Sequence, residues 1–153
     1  MRGKQGIYAS AVVLLGIILM STSQVAAHCE IPCGIYDDQM RIEMIAEDIT
    51  TIEKAMNQIT ELSGQKAINY NQLVRWITNK DYHANKIQEV VYQYFMTQRI
   101  KTDTDKYEEK LVLLHKMLVA AMKCKQTTDL SHVETLRSLL KSLETLYFGH
   151  THK

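Results

Sequence analysis

The chain has 153 residues, of which 46% are hydrophobic, and it carries 18 basic against 17 acidic side chains. This length favours a single domain, and the near-neutral charge gives no support for a nucleic-acid partner, because phosphate binding needs a clustered positive surface. Proline occurs once in the chain, and so few helix breakers favour a helical fold.

Residues 1–27 are predicted to be a leader that is removed. Two basic residues open the segment, an apolar run follows from Ala11 to Met20, and small residues end it at Ala27. This order is typical of a secretory signal peptide that is cut after Ala27. The alternative is an uncleaved membrane anchor, but the apolar run is shorter than the roughly 20 residues that a spanning helix needs.

The segment behind the cut is dense in metal donors; it reads His28-Cys29-Glu30-Ile31-Pro32-Cys33-Gly34-Ile35-Tyr36 and is called the hook. An amino-terminal His28 would offer an α-amine and an imidazole. Cys29 adds a backbone amide and a thiolate, and Cys33 adds a second thiolate. Nitrogen and sulfur donors in one plane suit nickel or copper, whereas zinc prefers a tetrahedron. Spacing alone leaves open a Cys29–Cys33 disulfide or two ordinary surface cysteines.

Two helical regions are predicted next. The first spans about Asp38 to Leu62, with Asp37 or Asp38 as its cap and Gly64 at its end. The second spans about Asn71 to Arg99, and a break near Asn79 stays open. Apolar residues at helical spacing mark the inner faces of both: Ile42, Ile45, Ile49, Ile52, Met56 and Ile59 in the first, and Val74, Ile77, Ile87, Val90, Val91, Tyr94 and Phe95 in the second.

Two further helices complete the fold. The third spans about Asp105 to Lys125 and contains Cys124, which is read as a core cysteine. The fourth begins at Ser131, where Ser131 and Glu134 form a capping-box pair, and it ends at Gly149. Their inner faces are predicted to be Tyr107, Leu111, Leu114, Leu118 and Ala121, and then Val133, Leu136, Leu140, Leu143 and Tyr147. Short connections between four amphipathic helices predict an all-α four-helix bundle over residues 37–153.

The segment HCEIPCGIYDDQMRIE resembles the amino-terminal hook of the nickel superoxide dismutases, whose pattern is H-C-x-x-P-C-G-x-Y. Every specified position matches. The resemblance continues through Asp37 and Arg41-Ile42-Glu43, and Arg75-Trp76 and Tyr94-Phe95 are similar to later landmarks of the family. It covers the chain from the hook to the fourth helix, and the family's four-helix bundle agrees with the predicted helices.

This resemblance implies an enzyme that converts two superoxide anions and two protons into oxygen and hydrogen peroxide. It implies one nickel ion per subunit, cycling between two and three positive charges. The ligands carried onto this chain are the His28 amine, the Cys29 amide nitrogen and the thiolates of Cys29 and Cys33. The His28 imidazole becomes an axial ligand in the oxidised state. Anionic amide and thiolate donors stabilise the higher oxidation state.

Further roles are implied for residues around the metal. Tyr36 resembles the tyrosine beside the open face of the metal, where its hydroxyl orders water and limits access. Tyr94 resembles a second tyrosine near the site. Pro32 matches the family's proline with a cis bond, which folds Cys33 back towards the metal.

Glu43 resembles the carboxylate that orients the imidazole of the metal-bound histidine. Such a partner fixes the tautomer and orientation of the ring. The family pairs this carboxylate with an arginine, but ungapped counting back from Tyr94 reaches Asn79. Arg75 and Lys80 are the nearest basic candidates.

The implied partners are superoxide as substrate, five further copies of the chain in a homohexamer, and a signal peptidase or maturation protease. No nucleic acid and no stable membrane association after cleavage are expected. The leader predicts export to a periplasm, the extracellular space or an organelle lumen, and a cytoplasmic location if it is only a maturation propeptide. Two alternatives stay open: a non-catalytic exported protein that binds nickel or copper, and a structural bundle with a Cys29–Cys33 disulfide.

Overall fold

The computed structural model describes residues 34–149 of the chain. The leader and the predicted ligands His28, Cys29 and Cys33, together with Pro32, lie outside the described residues. The division of the chain into leader, hook and bundle therefore stays a prediction, as do the ligand assignments.

Within residues 34–149 the protein is entirely helical. The helices are α1 (Asp38–Ser63), α2 (Tyr70–Glu89), α3 (Tyr107–Gln126) and α4 (Ser131–Phe148), and a π-helical segment (Val90–Arg99) continues α2. Each α-helix packs against two others, in the cyclic order α1, α2, α3, α4. Short connections make consecutive helices antiparallel neighbours, so the predicted four-helix bundle is confirmed. No helix in this part of the chain has the length and apolarity to cross a membrane.

Helix α1 follows the prediction closely. Its six predicted apolar residues are all buried, which places one continuous stripe against the other helices. The Asp37 carboxylate caps the helix by accepting a hydrogen bond from the amide of Met40 at 2.9 Å, and Gly64 follows the last turn. The side-chain cap satisfies one of the free amides at the helix start.

Helix α2 differs from the prediction in two ways. It continues without a break through Asn79, and the change of helix type comes only at Val90. Val74 and Ile77 were expected in the core but are 59% and 40% exposed. Trp76 instead lies against α1, with its ring centroid 6.0 Å from the ammonium of Lys54.

Helices α3 and α4 fill the other half of the core. The inner face of α3 is rotated from the predicted stripe: Tyr107, Leu111 and Leu118 are only half-buried, and the buried residues are Lys110, Leu114, Met117, Ala120, Ala121 and Cys124. In α4 the predicted core is confirmed except that Tyr147 is half-buried. Gly149 ends α4 with a φ of 78°, in the left-handed region that glycine adopts readily.

The capping box predicted at Ser131 is wrong. Leu130 occupies the cap position of α4, and no side chain makes a cap hydrogen bond there. Asp129, one residue before the cap position, binds the start of the helix instead. Its carboxylate accepts a hydrogen bond from the amide of Ser131 at 2.9 Å. The hydrogen bond lowers the pKa of Asp129 below its usual value.

A buried carboxylate links α1 to α2. Asp48 is 1% exposed, and its Oδ1 lies 2.6 Å from His83 Nδ1 and accepts a hydrogen bond from Lys86 Nζ at 3.0 Å. The hydrogen bond to Asp48 raises the pKa of Lys86. A buried charge needs such partners, so these contacts fix the register of the two helices.

Lys80 links α2 to α3 in a different way. Its buried ammonium donates hydrogen bonds to the carbonyls of Cys124 and Lys125, at 2.7 and 2.6 Å, and to the Asp81 carboxylate at 3.0 Å. These carbonyls belong to the last turn of α3, where a positive charge also complements the helix dipole.

Replacing Lys80 by methionine is expected to lower the free energy of unfolding by about 3 kcal/mol, because two carbonyls lose a charged donor. Urea unfolding at fixed protein concentration measures the change. Lys123→Met is the matched control, since Lys123 is an exposed lysine in the same turn of α3 and surface substitutions cost about 0.5 kcal/mol or less. Equal stability of the two variants would show that Lys80 does not stabilise the end of α3.

Candidate active site

The structure brings two predicted site residues together at the exit of the hook. Tyr36 directly precedes α1, and Tyr94 lies in the π-helical segment. Their rings meet edge to face with centroids 5.9 Å apart. Tyr94 is buried, whereas Tyr36 is 40% exposed and lies at the surface. The two tyrosines that the resemblance singles out are therefore in direct contact, and their roles beside a metal stay a prediction.

Asp38 is the centre of this end of the bundle. Its carboxylate accepts two hydrogen bonds from Arg99, at 2.8 Å from Nε and 2.7 Å from a terminal guanidinium nitrogen. It also accepts one from the Tyr94 hydroxyl at 2.6 Å and one from the Tyr147 hydroxyl at 2.8 Å. The start of α1, the π-helical segment and the end of α4 are therefore joined at one carboxylate. The sequence suggested only a capping role for Asp38.

The charges in this cluster shift its pKa values in a consistent way. Burial on its own would raise the pKa of Asp38, but the hydrogen bonds from Arg99, Tyr94 and Tyr147 outweigh it and lower that pKa below the usual value. Burial and the hydrogen bond to Asp38 raise the pKa of Tyr147 to about 12. The same causes raise the pKa of Tyr94. At neutral pH Asp38 is therefore an anion, and both phenols keep their protons.

Two arginines lie against the two tyrosine rings. The guanidinium carbon of Arg99 is 4.3 Å from the ring centroid of Tyr36, and that of Arg41 is 5.0 Å from the ring centroid of Tyr94. Both distances are within the range of a cation–π contact. The two rings and the two guanidinium groups thus form one contiguous cluster.

The π-helical geometry explains how Tyr94 and Arg99 reach the same carboxylate. In an α-helix, residues five positions apart point about 140° away from each other. A π-helix repeats its hydrogen bonds every five residues, as in the bond from the Ile100 amide to the Phe95 carbonyl at 2.9 Å. Residues five apart then lie closer to one face. The wider turn lets both side chains point at Asp38.

Glu43 lies one turn farther along α1 and is exposed. Its carboxylate accepts a hydrogen bond from Gln39 at 3.3 Å, and no ion pair to it is found among residues 34–149. Lys80, one of the two basic candidates, is committed to the end of α3. Arg75, the other, is exposed and lines a shallow groove with Gln72, Trp76 and Asn79.

Metal-binding side chains do not cluster in the described part of the bundle. No group of three or more His, Cys, Asp or Glu side chains is placed there to hold an ion. Cys124 is fully buried in the core with a free thiol, and burial raises its pKa to about 11. A protonated thiol without access to solvent is a poor metal ligand.

Asparagine in place of Asp38 is expected to lower the free energy of unfolding at pH 7 by about 2 kcal/mol, because Arg99 loses its partly buried counter-charge. The folded-state pKa of Asp38 is lowered, so its stabilisation is present above the unfolded-state pKa of about 3.9 and is lost as the pH falls through the folded-state pKa. The difference between wild type and Asp38→Asn should therefore shrink towards pH 3.

Urea unfolding at a series of pH values measures this difference. Glu53→Gln is the control, since Glu53 forms an exposed ion pair with Arg137 and such pairs contribute about 1 kcal/mol or less. A cost for Asp38→Asn that stays constant from pH 7 to pH 3 would contradict the proposed charge on Asp38.

Comparison with known proteins identifies the family. The model of the nickel-containing superoxide dismutase family matches residues 23–151, a stretch that contains the whole hook and all four helices. Comparisons with curated proteins and with solved structures give no match. The family match agrees with the resemblance found in the hook and with the helical bundle. Because it covers most of the chain, this protein belongs to the nickel-containing superoxide dismutase family, whose members are oxidoreductases.

Proposed function

We propose that the chain dismutates superoxide at one nickel ion held by its processed amino terminus. The proposed donors are the amine and imidazole of His28, the amide nitrogen and thiolate of Cys29, and the thiolate of Cys33. The observation that carries the proposal is the family match over residues 23–151, which includes this entire donor set.

The chemistry of the donors fits nickel. Amine, amide and thiolate groups at adjacent positions favour a planar arrangement of nitrogen and sulfur, which nickel accepts more readily than zinc does. The absence of a competing cluster in the described part of the bundle supports the hook as the metal site. Tyr36, the last residue of the hook, is anchored to the bundle through contacts with Tyr94 and Arg99, so the bundle holds the end of the hook that leads into α1.

The reaction converts two superoxide anions and two protons into one oxygen and one hydrogen peroxide molecule. Bound nickel would supply the one-electron exchange by moving between two and three positive charges. The protein has to present the donors, admit a small anion and support proton delivery. These tasks fall to the hook and to the residues at its exit.

Tyr36 is the tyrosine better suited to ordering water and limiting access. It is 40% exposed, and none of the side-chain hydrogen bonds within residues 34–149 involves its hydroxyl. The Tyr94 hydroxyl, by contrast, is already committed to Asp38 at 2.6 Å. We therefore assign the role beside the metal to Tyr36 and a supporting role behind it to Tyr94.

Glu43 remains the proposed partner of the His28 imidazole. Its carboxylate is exposed near the start of α1, and its hydrogen bond from Gln39 is long. A carboxylate without an ion pair in the described part of the chain is available to accept a hydrogen bond from an imidazole. Pro32 is proposed to turn the chain so that both cysteines face the same ion.

The homohexamer is also part of the proposal. Tyr70, Val74 and Ile77 are 69%, 59% and 40% exposed, and their spacing along α2 places them on one face of the helix. Ile35, within the hook, is 81% exposed. Apolar surface of this kind is typical of contacts between subunits, and an assembly that covers it would also restrict the hook to small species.

Processing completes the site. Until the bond before His28 is cut, the nitrogen of that residue is an amide, and the amine ligand does not exist. A signal peptidase would cut the chain during export, and a maturation protease would do so if the leader is only a propeptide. After cleavage the chain is proposed to have no stable association with a membrane.

Nickel titration of the mature chain, beginning at His28, tests the proposal. The rate of superoxide consumption should rise linearly with added nickel and level off at one nickel per chain. Copper or zinc should not replace nickel. A non-catalytic metal-binding protein would take up nickel without consuming superoxide. A bundle with a Cys29–Cys33 disulfide would bind no nickel and show one free thiol. Either of these two results would overturn the proposal.

A further inference from the structure

We propose that Arg99, oriented by Asp38, is a positioning residue that holds Tyr36, the last residue of the metal-binding hook, in place. The inference deepens the proposed function and rests on it. Nothing in the hook pattern H-C-x-x-P-C-G-x-Y points to Arg99, which lies at the far end of the π-helical segment.

The first observation is the fixed orientation of Arg99. Two of its nitrogens bind the Asp38 carboxylate, at 2.8 and 2.7 Å, and such paired hydrogen bonds define the plane of the guanidinium group. Asp38 raises the pKa of Arg99, so the side chain stays charged. The two side chains are 27% and 14% exposed, which makes this a partly desolvated ion pair.

The second observation is the contact between this oriented group and Tyr36. The guanidinium carbon lies 4.3 Å from the ring centroid, while Tyr94 meets the same ring edge to face. Tyr36 is thus held from two directions by residues of the π-helical segment. Because the ring precedes α1, these contacts also set the point at which the hook leaves the bundle.

The third observation is that Asp38 is itself immobilised. The hydroxyls of Tyr94 and Tyr147 donate to its two oxygens, and the rings of Phe95 and Tyr147 pack edge to face at 5.7 Å. A carboxylate that is hydrogen-bonded to two helical segments has little freedom to move, and so it holds Arg99 in a fixed position. The chain of contacts therefore runs from the core through Asp38 and Arg99 to Tyr36.

A role in attracting superoxide by charge fits Arg99 less well than a positioning role. The Asp38 carboxylate lies within hydrogen-bond distance of the guanidinium, so the pair has no net charge and only a weak field at longer range. The pair instead holds the planar guanidinium of Arg99 in a fixed orientation against the ring of Tyr36.

The test uses the mature nickel-loaded protein and measures the rate at which nickel is lost to excess chelator, together with kcat and KM. Arg99→Gln and Tyr36→Leu should each speed nickel loss by about tenfold, the scale of a partly buried cation–π contact. The double variant should lose nickel no faster than Tyr36→Leu alone, because that change already removes the contact with Arg99. Tyr36→Phe keeps the ring contacts, so its rate of nickel loss should stay close to that of the wild type.

Arg137→Gln is the matched control, since it breaks an exposed arginine–carboxylate pair with Glu53 elsewhere on the bundle. It should lose nickel at the wild-type rate. If Arg99→Gln does not fold, as judged by circular dichroism, Arg99→Lys replaces it in the same set of single and double variants. Lysine keeps the charge but lacks the planar guanidinium group.

Two results would overturn the positioning role: nickel loss from the Arg99 variant at the wild-type rate, or effects of the two single variants that multiply in the double variant. Failure of the proposed function is separate. In that case the wild-type chain would not take up one nickel ion, and the comparison among variants would not arise.

Discussion

Serine in place of Cys29 or Cys33 is expected to reduce nickel-dependent superoxide consumption to the background rate. A serine hydroxyl stays protonated at neutral pH and cannot replace an anionic thiolate, so the metal loses both a ligand and the donor that stabilises its higher oxidation state. The helices should remain folded, because residues 34–149 build a core without these side chains. Metal content, circular dichroism and superoxide decay measure the three parts of this result.

Cys124→Ala is the matched control among the three cysteines. The Cys124 thiol is buried, and its pKa is raised to about 11, so its removal should leave one nickel per chain and normal activity. The cost should appear only in stability, as for other core side chains that are shortened. Near-full activity in Cys29→Ser or Cys33→Ser would rule out the proposed coordination.

A single glycine left in front of His28 is expected to lower nickel affinity and activity by about 100-fold or more. The added residue turns the nitrogen of His28 into a peptide amide and moves the free amine away from the imidazole. Even the loss of an outer hydrogen-bond partner costs about 10- to 100-fold at a metal site, and here a direct ligand is displaced.

Nickel binding and superoxide decay of the extended chain, beside the chain that begins at His28, measure this effect. A glycine added after Lys153 is the control, because it lengthens the chain equally without touching the amine. Activity of the extended chain equal to that of the control would show that the amine of His28 is not a ligand.

The sequence predicted the fold well where a single physical pattern dominates. In α1 the buried residues recur at helical spacing, so the stripe from Ile42 to Ile59 could be read directly. The start of α1 at Asp37 follows from side-chain capping, and the end of α4 at Gly149 follows from the backbone freedom of glycine. Both depend on neighbouring residues only. Local interactions of this kind are visible in the sequence.

The errors arise where residues distant in sequence decide the outcome. The face of α3 includes Lys110 and Met117 instead of Leu111 and Leu118, because the neighbouring helices fix its rotation. The error at the start of α4 is local instead, because Asp129 and Ser131 both suit helix starts and it is the carboxylate of Asp129 that accepts the hydrogen bond. Val74 and Ile77 are apolar but lie on the outer face of α2.

In the candidate site, too, local patterns are visible in the sequence and contacts between distant residues are not. The resemblance to the family singled out Tyr36 and Tyr94, and the structure adds that their rings are in contact. The metal donors of the hook stay a prediction from their dense pattern. Asp38 and Arg99 carry no local pattern, because an acidic residue at a helix start usually serves as a cap. Only the π-helical turn brings the side chain of Arg99 to the same side of the helical segment as Tyr94. Sequence periodicity does not indicate such a turn.

The most direct measurement is intact-mass spectrometry of the active protein from its native source, combined with elemental analysis of the same sample. The account predicts a polypeptide that begins at His28, one nickel per chain, and superoxide consumption that disappears when nickel is removed and returns when it is restored. An active form that still carries residues 1–27, or one that consumes superoxide equally well without nickel, would contradict it.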